Sequence, residues 1–201
     1  MAQESSITII ARQPIVDRRL HVVAYELLFR SHAGCNTIDN IDSASATVVV
    51  RDALRNVGMS TIVGDCTAFI NVDGPTLLSP AIEALPPERV VFELLETIEV
   101  DESILKRCRE LKRRGYRLAL DDFVSYDEAY EPLLEIVDIV KLDVLQLSAE
   151  CLSRLVRHLR SWPPKLLAEK VETPQGARTC FDLGFSFFQG FYFGRPAAMQ
   201  V

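Results

Sequence analysis

Residues 165–193 read KLLAEKVETPQGARTCFDLGFSFFQGFYF, and this stretch decides the fold. An apolar run at 165–172 gives way to an amphipathic stretch at 174–183. That stretch stops at Gly184, and a second apolar run follows at 185–193. A strand, a helix ended by glycine and another strand form one β/α unit. The apolar runs are nearly continuous rather than alternating, as expected for strands covered on both faces.

Working outward, the same pattern predicts strands at 7–16, 20–29, 65–72, 89–96, 117–123 and 137–145. Helical patterns lie at 43–57, 101–114 and 147–160. The first opens on serines suited to an N-cap and runs toward Gly58. The second starts acidic, ends basic and is followed by Gly115, which suits the helix dipole. About eight strands alternating with helices predict an α/β fold, a modified TIM-type (β/α) barrel. The first two strands are separated only by Asp17-Arg18-Arg19, too short for a parallel crossover. They are expected to pair as a hairpin, which makes the first strand antiparallel.

The 201 residues fit one domain, expected to fill 1–201. Hydrophobic residues at 48% and charged residues at 25% are ordinary for a globular chain. No apolar run approaches the roughly 18 residues of a membrane span. The start, MAQESSITIIARQPIVD, has no basic segment ahead of a long apolar one, so no signal peptide is expected. Cys35, Cys66, Cys108, Cys151 and Cys180 are scattered and form no CxxC pair, which predicts free thiols and a cytoplasmic protein. The net charge of −6 argues against DNA or an anionic membrane as partner, but leaves room for a small phosphate ligand.

Polar residues punctuate the apolar strands: Glu26, Asn71, Glu93, Asp121-Asp122, Lys141 with Asp143, Glu169 and Gln189. Most sit toward the C-terminal end of their strand, the end where β/α barrels build their sites. Buried charges need partners or a cation. Carboxylates and an amide, without a Cys/His cluster, favour hard ions such as Mg²⁺ or Mn²⁺. Two adjacent aspartates where the chain leaves a strand can both turn toward one centre and bridge two ions, an arrangement suited to phosphodiester cleavage. Lys141 and Asp143 are two apart and share a strand face. A lysine beside metal ions has its charged form disfavoured and can orient a water or accept its proton. Taken singly, each residue also has a structural reading: a solvated strand end, a buried ion pair or the start of a turn.

In order along the chain, RQPIVDRRLHVVAYELLFR, AFINV, VVFELLE, LALDDF, VKLD, AEKVET and FFQGFYFGRP resemble the EAL domain of cyclic di-GMP phosphodiesterases over roughly residues 8–196. The resemblance implies a two-ion site. Glu26, Asn71, Glu93 and Asp121 would hold one Mg²⁺ or Mn²⁺ ion, and Asp121 with Asp122 the second. It implies that Lys141 activates the attacking water, supported by Glu169 and Gln189, and that Glu172 braces the loop after the Asp-Asp pair. Arg30 would grip a ligand phosphate as a fork of donors, with Gln13 and Asp143 completing the substrate contacts. The implied reaction is hydrolysis of cyclic di-GMP to linear pGpG, in a protein expected to be a homodimer.

Three positions depart from the family pattern. Leu27 stands where the signature has Ala, Leu95 where Thr is usual, and Val124 where a Gly opens the loop after the Asp-Asp pair. The altered loop at 123–135 resembles a subgroup in which a divergent EAL domain precedes an HDOD domain, so the chain is expected to be part of a longer protein. Besides an enzyme, the same residues suit a cyclic di-GMP receptor with little turnover. An enolase-like barrel using Lys141 on a carbon acid is a third reading. A pure interaction scaffold is hard to reconcile with so many interior charges.

Overall fold

The hairpin that opens the chain sets the geometry of the whole sheet. In the computed structural model, which describes residues 9–30 and 58–200 apart from the side chains of 9, 10, 29, 30 and 200, β1 (Ile9–Asp17) pairs antiparallel with β2 (Val22–Arg30). The Asp17 carboxylate accepts from the amides of Arg19 and His21, and Leu20 takes a left-handed φ of 63° to complete the turn. From β2 the sheet runs parallel through β3 (Thr67–Val72), β4 (Val90–Leu94), β5 (Arg117–Leu120), β6 (Ile139–Asp143), β7 (Lys165–Glu169) and β8 (Phe187–Phe188). Strand β8 then meets β1 antiparallel and closes an eight-stranded barrel. The antiparallel first strand is as the hairpin predicted.

Side-chain alternation divides the interior into two storeys. Ile15, Ala24, Phe69, Val91, Ala119, Ile139 and Leu167 form one buried apolar cluster, with Phe187 packed on it. Two residues further toward the mouth, each strand carries a polar group: Gln13, Glu26, Asn71, Glu93, Asp121, Lys141, Glu169 and Gln189. Strand period makes each pair share the inward face. The opposite faces, with Leu27, Ile70, Phe92, Leu118, Val140 and Ala168, join the larger core beneath the helices.

The helices are α1 (Met59–Val63), α2 (Gly74–Leu78), α3 (Glu102–Arg113), α4 (Glu131–Leu134), α5 (Ala149–Leu159) and α6 (Pro174–Asp182). Side chains of Asp101, Ser148 and Thr173 cap α3, α5 and α6 by accepting from amides in their first turns. The helix expected at 43–57 lies outside the described residues. None of the described helices is long and apolar enough to cross a membrane. Cys66, Cys108, Cys151 and Cys180 are free thiols.

The structure shortens several expected strands. β5 stops at Leu120 rather than 123, because Asp122 adopts a left-handed φ of 43°. The strand expected over 185–193 pairs only at 187–188, and the chain then turns at Gly190. A ninth strand, β9 (Ala197–Gln200), was not anticipated; it pairs antiparallel with Ile9–Arg12, the stretch of β1 that β8 leaves free.

Gly190 has φ 147°, and a Cβ there would lie 2.2 Å from the backbone N and O of Val171. The close approach is fixed by Val171 N donating to Gln189 O and Tyr192 N donating to Val171 O, each at 3.0 Å. Gly190→Ala is therefore expected to destabilise the fold by about 3 kcal/mol or more, from backbone strain plus overpacking. In a chain of this size that lowers Tm by roughly 6–12 °C. Urea denaturation measures it, and a loss below about 1 kcal/mol would show that the turn relaxes freely.

Candidate functional site

At the mouth-side storey the barrel converges on one lysine. Lys141, at the centre of β6, is fully buried. Its Nζ lies 2.5 Å from Glu93 Oε1, 2.7 Å from Asp121 Oδ1, 2.8 Å from Glu169 Oε1 and 3.9 Å from Glu26 Oε2. Four strands thus supply a carboxylate each: Glu26 from the middle of β2, Glu93 and Glu169 from the C-terminal ends of β4 and β7, and Asp121 from just beyond β5. Burial alone would strip the lysine of its proton, but Asp121, Glu169, Glu26 and Glu93 together push its pKa well above the usual value. Glu93, wholly buried and beside two other carboxylates, is pushed well above the ordinary carboxylate range, with Lys141 opposing. Burial likewise raises Glu169 to about 8.

Neutral amides complete the storey. Gln189 Nε2 donates to Glu26 Oε2 at 2.5 Å and to Gln13 Oε1 at 3.2 Å, and Gln13 Nε2 donates to the Gly194 carbonyl at 3.1 Å. Asn71 Nδ2 makes a long 3.4 Å bond to Glu26 Oε1.

A second cluster lies toward solvent. Lys170 Nζ sits 3.1 Å from Asp122 Oδ1 and 2.5 Å from Asp143 Oδ2. The Asp143 side chain is buried, and its Oδ1 accepts from the amides of Leu145 and Gln146 while Oδ2 also accepts from Gln146 Nε2. Burial works against its charge, but Lys170, Gln146 and the Leu145 amide outweigh it and hold the carboxyl below its ordinary value. Asp122 and Lys170 both have left-handed backbones, with φ of 43° and 56°. Outside glycine such conformations cost on the order of 1 kcal/mol each, a cost the surrounding structure imposes to turn these side chains toward each other.

The residues named from sequence therefore separate. Glu26, Asn71, Glu93, Asp121, Glu169, Gln189 and Gln13 gather around Lys141. Asp121 and Asp122 both border the cleft, Asp121 against Lys141 and Asp122 against Lys170. Asp143 shares the Lys141 strand face, but Lys170, Gln146 and two amides take up its oxygens. Glu172 is exposed on the wall of the cleft and, among the described residues, makes no hydrogen bond to the loop after Asp122. The side chain of Arg30 lies outside the described residues. Lys170 was missed; its position directly after Glu169, at the end of a barrel strand, was the available signal.

The loop carrying Val124 is ordered without a glycine there. Phe123 is buried, its amide donates to the Lys141 carbonyl at 2.9 Å, and its ring meets Tyr130 edge-on at 5.3 Å. The left-handed residue of this turn is Asp122, not Val124.

Above both clusters opens a cleft of about 310 Å³, floored by Glu26, Asp121, Glu169 and Gln189, with Leu28, Leu145 and Phe191 as apolar walls. The chemistry of the donors fits hard cations. Six carboxylates face two ammonium groups, a formal surplus of four negative charges. Five buried acceptor atoms here make no hydrogen bond: Asn71 Oδ1, both Glu93 oxygens, Glu169 Oε2 and Gln189 Oε1. Glu93 Oε1 touches the ammonium without hydrogen-bond alignment. Unmet acceptors in a buried, overcharged site call for positive charge. The ligand set is not preassembled, since among the described residues no three acidic, His or Cys side chains already frame a metal position; Lys141 holds the centre.

Comparisons with known proteins agree with this architecture. Cyclic di-GMP phosphodiesterase CdgJ of Vibrio cholerae is 35% identical over 196 residues, 96% of this chain and 45% of that protein. The chain therefore spans under half the length of that relative. The YkuI protein of Bacillus subtilis, solved with cyclic di-GMP and calcium, superposes with a TM-score of 0.75 at 20% identity, over 96% of this chain and 56% of that one. Klebsiella pneumoniae BlrP1, solved as a calcium and cyclic di-GMP complex, gives 0.76 at 23% identity, over 98% and 58%. These likenesses are of fold, and the EAL domain family model matches residues 7–196. With its antiparallel first strand, its barrel and its carboxylate-lined mouth, the chain belongs to the EAL domain family.

Proposed function

We propose that this domain is a cyclic di-GMP phosphodiesterase that opens one phosphodiester to give linear pGpG, working with two Mg²⁺ or Mn²⁺ ions. The observation that carries this reading is the buried ring of acceptor oxygens around Lys141, overcharged for its two lysines and open to a cleft. The relative CdgJ, named a cyclic di-GMP phosphodiesterase, and the cyclic di-GMP complexes of YkuI and BlrP1 support the choice of ligand. Glu26, Asn71, Glu93, Asp121 and Asp122 are the residues that would hold the ions. When bound, hard divalent ions supply positive charge for the phosphodiester oxygens.

The chain's own residues do the rest. Leu28, Leu145 and Phe191 offer apolar walls for the guanine bases. Gln189 and Asn71 hold Glu26 in place by donating to its two oxygens. Lys141 Nζ, at the centre of the carboxylate ring, is the group placed to orient the attacking water or to take its proton. A receptor with little turnover is the second reading, favoured by the four carboxylates that surround the Lys141 ammonium and occupy it.

Incubation with cyclic di-GMP and Mn²⁺, followed by chromatography, is expected to yield pGpG. Lys141→Ala should lower the rate by about 10²–10⁴-fold, the range for a lost proton-transfer group, and Glu26→Ala should abolish product. No product with binding intact in calorimetry would favour the receptor; neither product nor binding would overturn the reading.

Cation binding should also appear in stability. Mg²⁺ at about 100 times its Kd adds roughly 2.7 kcal/mol, a Tm rise of about 5–10 °C, and Glu93→Gln should remove most of it. The rise should depend on pH. Glu169 moves from 4.5 in the unfolded chain to about 8 when folded. Between those values the folded state binds a proton that the unfolded state lacks, so metal-free stability falls as pH rises through that window. Thermal melts in chelator at pH 6 and pH 8 should show the fall, and Mg²⁺ should narrow it; a flat profile would contradict the buried charge surplus.

A further inference from the structure

We propose that Lys170 is a tethered cation that competes with a divalent ion for Asp122, so that the two halves of the metal site differ in affinity by design. This rests on the reading of the cleft as a divalent-ion site.

The two lysines of the cleft differ in kind. Lys141 is wholly buried and its partners come from four strands, so it has nowhere else to go. The Lys170 side chain is 45% exposed, lies at the cleft wall and has only Asp122 and Asp143 as charged partners among the described residues. Those two partners are themselves unequal. The Asp143 side chain is 2% exposed and held by the amides of Leu145 and Gln146, so it is a fixed anchor for the ammonium. The Asp122 side chain is 34% exposed and carries no hydrogen bond beyond Lys170 among the described residues. It is the carboxylate that a cation arriving from the cleft would meet first.

The backbone reinforces the pairing. Asp122 and Lys170 are two of the three described non-glycine residues with positive φ, and each lies just past the end of a barrel strand. The turns at both strand ends are bent into disfavoured conformations that bring one charged side chain against the other. An ion coordinated by Asp122 would lie within a few ångströms of the Lys170 ammonium on Asp122 Oδ1, and the two positive charges repel each other. The ammonium can release Asp122 while staying on Asp143, its closer and fixed partner. Asp121, one residue earlier, faces Lys141 instead, so this competition is confined to the outer half of the site.

Binding of Mn²⁺ without nucleotide tests this, read from the electron paramagnetic resonance of free Mn²⁺. The natural chain is expected to bind one ion tightly and a second at least tenfold more weakly. Lys170→Gly, which also relieves the positive φ, and Lys170→Ala should tighten the second ion by at least about tenfold, as expected for losing one unit charge a few ångströms away in a partly solvated site. Lys170→Arg should behave like the natural chain. Adding Asp122→Asn to Lys170→Gly should abolish the gain. Identical Mn²⁺ isotherms for the natural chain and Lys170→Gly, or a gain that survives Asp122→Asn, would overturn the proposal while leaving the metal site standing. If neither chain binds Mn²⁺, the metal-site reading itself fails.

Discussion

An ammonium group taken wholly out of water is stable only if charge of the opposite sign travels with it, and in this barrel Lys141 brings together carboxylates from strands far apart in sequence. Glu26, Glu93, Asp121 and Glu169 belong to β2, β4, the end of β5 and β7, and they meet because closure of the sheet points all of them inward at one level. The compensation overshoots. One ammonium answers four carboxylates, and the protein meets the excess by holding Glu93 and Glu169 toward their protonated forms. The site is thus arranged at the expense of folding stability, a pattern typical of functional centres. The same surplus that weakens the domain would favour a cation in the site.

The apolar storey beneath makes that surplus tolerable. Ile15, Ala24, Phe69, Val91, Ala119, Ile139 and Leu167 fill the lower interior without a polar atom in their side chains. A closely packed floor leaves the carboxylates little room to move apart, so their repulsion has to be relieved by protons or cations. On the outer face, Phe92, Leu118, Val140 and their neighbours bind each strand to the helical layer. Rigid strands hold the carboxylates around Lys141, and the left-handed Asp122 and Lys170 lie in the turns just beyond the strands.

Most of this was legible because strand geometry has a period of two. Polar residues interrupting apolar runs near strand ends identified the storey around Lys141, and the three-residue gap Asp17-Arg18-Arg19 identified the hairpin. What escaped depends on single backbone angles. Nothing in LALDDF distinguishes an Asp122 that follows Asp121 inward from one that turns away, and its φ of 43° decides the matter. Lys170 escaped for the same reason: read as a continuing strand, AEKVE would point it away from the barrel axis, whereas a left-handed φ of 56° swings it over the mouth. The loop at 123–135 carries valine at 124 where the family pattern has glycine. Packing of Phe123 on Tyr130 and a turn borne by Asp122 give it order by other means. Strand β9 escaped because its sequence, AAMQ, carries no alternation; it exists because β8 is short and leaves half of an edge of β1 unpaired.

That short eighth strand also explains why the first strand runs backwards to good effect. A parallel β1 ending at the mouth would bring its C-terminal residues to the site; the antiparallel one brings Gln13 from its middle, opposite Glu26 in register. Gln13 accepts from Gln189, which in turn donates to Glu26, and Gln13 donates to the carbonyl of Gly194 in the turn after β8. These contacts fix the orientation of Glu26 with amides alone. A charged group in place of either glutamine would have changed the balance around Lys141: a cation would answer part of the negative surplus, and an anion would enlarge it. Neutral donors set the geometry of the carboxylate while leaving its charge available, and the seam where β8 and β9 share β1 is where the barrel places them.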